Sequence, residues 1–459
     1  MSDHVPDAGP EPTGLPAEEL PSASGPLTGS PDVPADTPSS APGEDVPPPP
    51  RQNMIIREML RGSAVTTILA IVLAMIVGGI LIAITNAEVQ TAAGYFFARP
   101  GDTFVAIWNA VSGAYYALFQ GSIFNPIGKD FTAAIRPFTN TLGFAAPLIA
   151  AGLGVALAFR VGLFNIGARG QMLIACATAA LVTFHLDLPI WLHLPLTLAA
   201  GIAGGAIWGG IVGLLKARTG AHEVILTIML NYVALYLVSW LVRTPGLLQK
   251  PGSNQPISAP TPDSAQFPSL LGTQFPLLNW GFPVVAIATL FVWWLVEHSS
   301  LGFRMRAVGE NPHAARAAGI SVPRMYVYAM LFAGGLAGLA GMNQILGSVT
   351  SGFDGSIDAG IGFDAITVAL LGRSRAWGTF WAGLLFGALK AGSFTMQAAQ
   401  GIPVDIVLVV QSLIVLFIAA PPLIRTVFFL PKDDSERSAR SKARAAKRAA
   451  RSEGKAVAS

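Results

Sequence analysis

Residues 299–324 read SSLGFRMRAVGENPHAARAAGISVPR, a polar stretch set between two strongly apolar segments. It carries Arg304, Arg306, Arg316 and Arg324 against a single acid, Glu310. Such a stretch cannot lie in hydrocarbon, so it must protrude, and its basic excess puts it on the cytoplasmic side of a membrane. Within it, Asn311 suits an N-cap and Pro312 the first helical position. The run from His313 to Ala318 favours helix, and Gly319 suits its C-terminal cap. The spacing predicts a short helix held off the membrane between two spans, either as a plain connection or as a docking element for a cytoplasmic partner.

Composition agrees with a membrane class. The chain has 459 residues, 52% hydrophobic and 12% charged, about half the charged fraction of a soluble domain. Several apolar runs approach the roughly 20 residues needed to cross a bilayer. The expected fold is all-α, a polytopic transmembrane helical bundle of about ten spans, with both termini cytoplasmic. The spans fall near 64–85, 139–159, 170–184, 189–215, 224–241, 281–296, 326–346, 361–371, 377–396 and 402–423. Alternating crossings put Arg160, Lys216 with Arg218, the 299–324 loop and Arg373 with Arg375 on one face. The long 245–280 loop and the uncharged turn Ala398–Gly401 fall on the other, as the positive-inside rule requires. The eighth segment, Ile361–Leu371, is too short for a full span and is expected to be a broken helix flanked by irregular backbone. Residues 104–120 are only moderately apolar and read as an interfacial or re-entrant helix.

Three parts are expected in sequence. Residues 1–50 hold nine carboxylates and no Lys or Arg and are expected to be disordered. A transmembrane domain covers 51–430, opened by Arg51, Arg57 and Arg61. The tail, 431–459, carries nine basic residues against four acidic ones, a pattern of topology signals or lipid contact rather than of nucleic-acid binding. Cys176 is the single cysteine, so no intramolecular disulfide forms and no cysteine metal site is suggested.

Small residues recur at helical spacing: Gly201, Gly205, Gly209 and Gly213 on the fourth span, and Gly334, Gly338 and Gly341 on the seventh. Such stripes let helix backbones approach closely. Polar residues inside spans are costly, and Gln171, Asn231, Asn343, Gln344 and Asp364 either bond a neighbouring helix or touch a ligand. No catalytic motif or spaced metal set is seen, and no buried carboxylate or histidine relay of an ion-coupled pump. The phosphate-cradling GxxxxGK[ST] loop is also missing from the sequence. If ATP drives this protein, the nucleotide must bind another chain.

Four ordered motifs carry a family resemblance. GLFNIGARGQM at 162–172 is similar to the signature of permeases in ABC importers for simple sugars and nucleosides. GENPHAARAAGI resembles that family's cytoplasmic loop, and GGLAGLAG and GFDAITVALLGRSRAWGTFWAGLLFGAL follow in order. The likeness spans about 54–425, and EVILTIMLNY at 223–232 resembles the nucleoside branch. The chain departs at Arg169, where the family usually has an acidic residue. The resemblance implies a plasma-membrane importer subunit, not itself an enzyme, with no cofactor in this chain and ATP and Mg on a partner ATPase. It implies a second permease subunit, identical or related, and an extracellular binding protein or lipoprotein that delivers a nucleoside. On that reading Arg306, Gly309, Glu310, Asn311, Ala314, Ala315 and Gly319 couple to the ATPase. Phe164, Asn165, Gln171, Asn231 and Asp364 line the pathway, where a ring can stack on a base and amides can read its edge. A monosaccharide such as ribose is the alternative substrate; a secondary transporter or a channel subunit would need no ATPase.

Overall fold

A computed structural model describes residues 63–419 and Val427. The acidic head over 1–50, the three arginines before the first span and the basic tail over 431–459 lie outside the described residues. Among the described residues there are fourteen α-helices and no strand, only two isolated β-bridges in the 245–280 loop. In order they are α1 Ser63–Thr85, α2 Ala87–Ala93, α3 Pro100–Ser122, α4 Phe131–Arg160, α5 Ala168–His185, α6 Ile190–Thr219 and α7 Glu223–Leu241. Then come α8 Gly281–His298, α9 Ser300–Glu310, α10 Pro312–Ala317, α11 Val322–Asn343, α12 Ile361–Leu371, α13 Ala376–Gln400 and α14 Val404–Ala419.

Each of the ten expected spans coincides with a helix over its described residues, residues 420–423 of the last lying outside them. Six of them, α1, α4, α6, α7, α8 and α11, are long and apolar enough to cross a bilayer. The other four are shorter or more polar. α5 illustrates why that is tolerated: its apolar face needs no lipid, because residues from Gly170 to Ala177 are buried without a break.

α4 runs through the centre of the bundle, buried continuously from Ala145 to Ala158. It begins at Phe131, a full two turns earlier than its apolar run suggests, and passes through Pro137 and Pro147. Neighbouring helices let a membrane helix keep such prolines. The glycine stripes pack as expected. A Cβ on Gly205 would stand 2.5 Å from the Gly334 carbonyl oxygen, and one on Gly334 only 2.2 Å from that of Gly205. α6 and α11 therefore touch backbone to backbone. α3 is a 23-residue helix packed on the bundle along one side, with Phe104, Trp108 and Tyr116 exposed on the other: a Cβ on Gly392 of α13 would meet the Leu118 carbonyl oxygen at 2.5 Å. Tyr115 of α3 also donates to the Met75 carbonyl of α1.

One element of the opening stretch was not legible. Residues 300–310 form α9, capped by Ser299, whose Oγ accepts from the Gly302 amide at 2.9 Å. The helix stays amphipathic, burying Gly302, Met305 and Val308.

α11 ends in a π-helical turn, Gln344–Ser348, and the chain then runs irregularly to α12. This is the broken helix expected at the eighth segment. Its backbone polar groups are met by protein: Gln344 Nε2 donates to the Ile357 carbonyl at 3.0 Å, and the Phe353 amide to Ser258 Oγ at 2.9 Å. Irregular backbone within a bundle requires such partners.

Candidate functional site

Two discontinuities meet inside the bundle: the turn between α4 and α5, and the linker ahead of α12. α4 ends at Arg160 and the chain turns at Gly162 (φ +77°), where the Leu163 amide reaches back to the Ala158 carbonyl at 3.0 Å. The following turn is held by side-chain amides. Asn165 Oδ1 accepts from the Gly167 amide at 2.9 Å, and the Asn165 and Gln171 amides bond each other at 3.2 and 3.3 Å. From α7, Asn231 Oδ1 accepts from the Gly170 amide at 2.8 Å while its Nδ2 donates to the Ile166 carbonyl at 3.0 Å.

Three of the five pathway candidates are thus brought together. Asn165, Gln171 and Asn231 are buried, and their hydrogen bonds go to the turn and to one another. Their amides hold the turn between α4 and α5. Phe164 differs: it is 41% exposed and stacks on Phe159 with centroids 4.9 Å apart. Asp364 stands apart from the amide cluster, half-buried in the first turn of α12.

Arg169 joins the two discontinuities. Its Nε lies 3.2 Å from Asp358 Oδ1 in the linker. Gly362 of α12 rests on the Arg169 backbone so closely that a Cβ there would stand 2.6 Å from the Arg169 nitrogen. On the other side Lys390 of α13 donates from Nζ to the Ala359 carbonyl at 3.3 Å. Asp358 and Lys390 were missed in the sequence reading. Lys390 had a signal, a lone cation inside the apolar run Trp377–Met396; Asp358 had none beyond an acid in a polar linker.

The coupling candidates form a second site. Asn311 Oδ1 caps α10 by accepting from the His313 and Ala314 amides at 3.0 and 3.1 Å. Gly319 follows with φ +81°, and the Ile320 amide returns to the Ala315 carbonyl at 3.0 Å. Ala315 is buried, whereas Glu310, Asn311, Ala314 and Gly319 are exposed. The root of the segment is tied to the bundle. Arg306 donates to the Val296 carbonyl and pairs with Glu297 at 3.8 Å. Gly309 abuts the end of α4: a Cβ would meet the Arg160 carbonyl oxygen at 2.2 Å. Arg160 itself pairs with Glu297 at 3.8 Å and donates from Nε to the Ser374 carbonyl at 2.9 Å. α9, which leads into α10, is thereby linked through one arginine to α4, α8 and the turn between α12 and α13.

An all-helical bundle with glycine-packed spans, a broken helix and a capped helix standing at one end is the architecture of a polytopic membrane protein. The chain belongs to the permease component family of the branched-chain amino acid transport system, whose model matches residues 138–419. It is 36% identical to the guanosine ABC transporter permease protein of Bacillus subtilis over 78% of this chain and 94% of that relative. It is 36% identical to a nucleoside ABC transporter permease protein of Lactococcus lactis over 71% of this chain and 91% of the relative. A glucose ABC transporter permease protein of Haloferax volcanii is 37% identical over 61% of this chain and 75% of its own length. No solved structure matches. The chain is accordingly a multi-pass membrane transport component rather than an enzyme, of a family that works with ATPase and substrate-binding partners.

Proposed function

We propose that this chain is the membrane-spanning subunit of an ATP-driven importer of nucleosides. The observation that carries the reading is the likeness to guanosine and nucleoside permeases over most of both chains. The protruding α9–α10 segment supports it. ATP and Mg bind a separate cytoplasmic ATPase, this chain needing no cofactor of its own, and that ATPase grips the exposed face of α10 through Glu310, Asn311 and Ala314. Arg306, Gly309, Ala315 and Gly319 keep the segment in shape. Both termini are cytoplasmic. A second permease, identical or related, encloses the pathway, and an extracellular binding protein or lipoprotein delivers substrate. Phe164 and Asp364 face the pathway, with Asn165, Gln171 and Asn231 as the wall behind.

A monosaccharide is the second reading, favoured by the glucose permease relative. Uptake of labelled adenosine into cells with and without this gene, with guanosine, uridine or ribose as competitors, tests both. Loss on deletion, with block by nucleosides but not ribose, is the expected result. Unchanged adenosine uptake with lost ribose uptake would replace the substrate and keep the permease.

A further inference from the structure

Lys390 is the charge that packing leaves least explained. It lies 14 residues on from Ala376, about 21 Å along α13, and 10 residues before Gln400, about 15 Å from that end. It therefore sits near the middle of a 25-residue helix. Nine residues separate it from the exposed Trp381, about two and a half turns, so it points to the opposite side of α13. There it meets the start of α12, donating to the Ala359 carbonyl. An ammonium has three donors, and this is its one hydrogen bond among the described residues.

Asp364 is its counterpart. The Lys390 ammonium reaches the chain at Ala359, five residues before Asp364, yet among the described residues no ion pair joins Lys390 to Asp364 and no hydrogen bond reaches the Asp364 carboxylate. The neighbouring acid, Asp358, is already held by Arg169. Two opposite charges at membrane depth, near but apart, leave donors and acceptors that only water or a polar guest can meet. Rings accompany both: Phe363 precedes Asp364 and is 48% exposed, and Phe394, four residues on from Lys390, is 50% exposed. Positions four apart share one helix face.

We propose that Asp364 and Lys390 are the polar contacts of the translocated ligand at the middle of the membrane, a neutral molecule with vicinal hydroxyls and a planar ring. The carboxylate accepts from the sugar hydroxyls, the ammonium donates to the ring's acceptors, and Phe394 offers a stacking face. This rests on the nucleoside reading and deepens it.

The test is uptake of adenosine and of 2′,3′-dideoxyadenosine, which lacks both hydroxyls, by the complete transporter with its ATPase and binding protein. The binding protein is the same throughout, so a change in the ratio of the two rates between variants belongs to this chain. Asp364→Ala is expected to raise the transport KM for adenosine on the order of tenfold, the worth of a hydrogen bond to a charged group, and to leave dideoxyadenosine nearly unchanged. Asp364→Asn, which keeps the shape and one acceptor, is expected to fall between and guards against misfolding of the alanine variant. Lys390→Met is expected to raise KM for both substrates alike. Wild-type discrimination preserved in well-inserted Asp364→Ala and Asp364→Asn would overturn the proposal. Absence of adenosine uptake by the wild type would instead overturn the nucleoside reading beneath it.

Discussion

The Arg169 guanidinium meets the Asp358 carboxylate at 3.2 Å, across 189 residues of chain, and so ties the first turn of α5 to the linker ahead of α12. The pair answers the departure at Arg169. A cation at this position is accommodated because the linker supplies a carboxylate that is only 5% exposed. Reversing one member leaves a buried charge unpaired, which costs about 3–5 kcal/mol. Arg169→Glu is therefore expected to abolish uptake and lower thermal stability in detergent. Adding Asp358→Arg to it should restore much of both. A double variant as poor as the single one would show that the pairing is not what position 169 requires.

Gly319 has φ +81° and nothing within 4 Å of where a Cβ would stand. The cost of a side chain there is backbone strain, about 1–2 kcal/mol, not collision. Gly319→Val is expected to insert in the membrane at normal levels and to uncouple ATP hydrolysis from uptake. Parallel assays of ATPase rate and transport in the assembled complex check this, and normal uptake per ATP would refute it.

Asn231 spends its amide on the Gly170 nitrogen and the Ile166 carbonyl. Alanine there leaves two backbone groups unmet, each costing about 1–3 kcal/mol. Asn231→Ala should reduce the amount of folded permease and its maximal rate while leaving the KM for substrate close to wild type. A raised KM in protein of normal stability would return Asn231 to direct substrate contact.

Gly334 and Gly335 are neighbours with opposite tolerance. A Cβ on Gly334 falls 2.2 Å from the Gly205 oxygen, whereas one on Gly335 has its nearest neighbour at 3.5 Å. Gly334→Ala is expected to separate α6 from α11 and to unfold at markedly lower temperature, while Gly335→Ala should be neutral within about 0.5 kcal/mol. Equal melting of the two variants would contradict the backbone contact.

Much of the architecture was legible because it is written locally. The apolar runs gave the spans, and the Asn311-Pro312 start with Gly319 after it gave α10, since a cap and a left-handed glycine act within one turn. α9 was missed because its polar, arginine-rich surface hid a narrow buried stripe of Gly302, Met305 and Val308. The site was legible only in outline. Asn165, Gln171 and Asn231 stood out as polar residues in apolar surroundings, but a sequence does not say whether such an amide faces a ligand or a backbone.

By itself, then, the sequence determined an all-helical membrane protein with a glycine-packed pair of spans, a broken eighth segment and a capped helix standing off the bundle. Those features follow from periodicity, run length and capping, which need no knowledge of distant residues. Only the tertiary structure decided that Arg169 pairs with Asp358, that Arg160 links α10's root to Ser374 and Glu297, and that Lys390 reaches the Ala359 carbonyl at the start of α12. Charges and amides take their partners from whatever the packed helices bring alongside, and spacing along the chain carries no record of that.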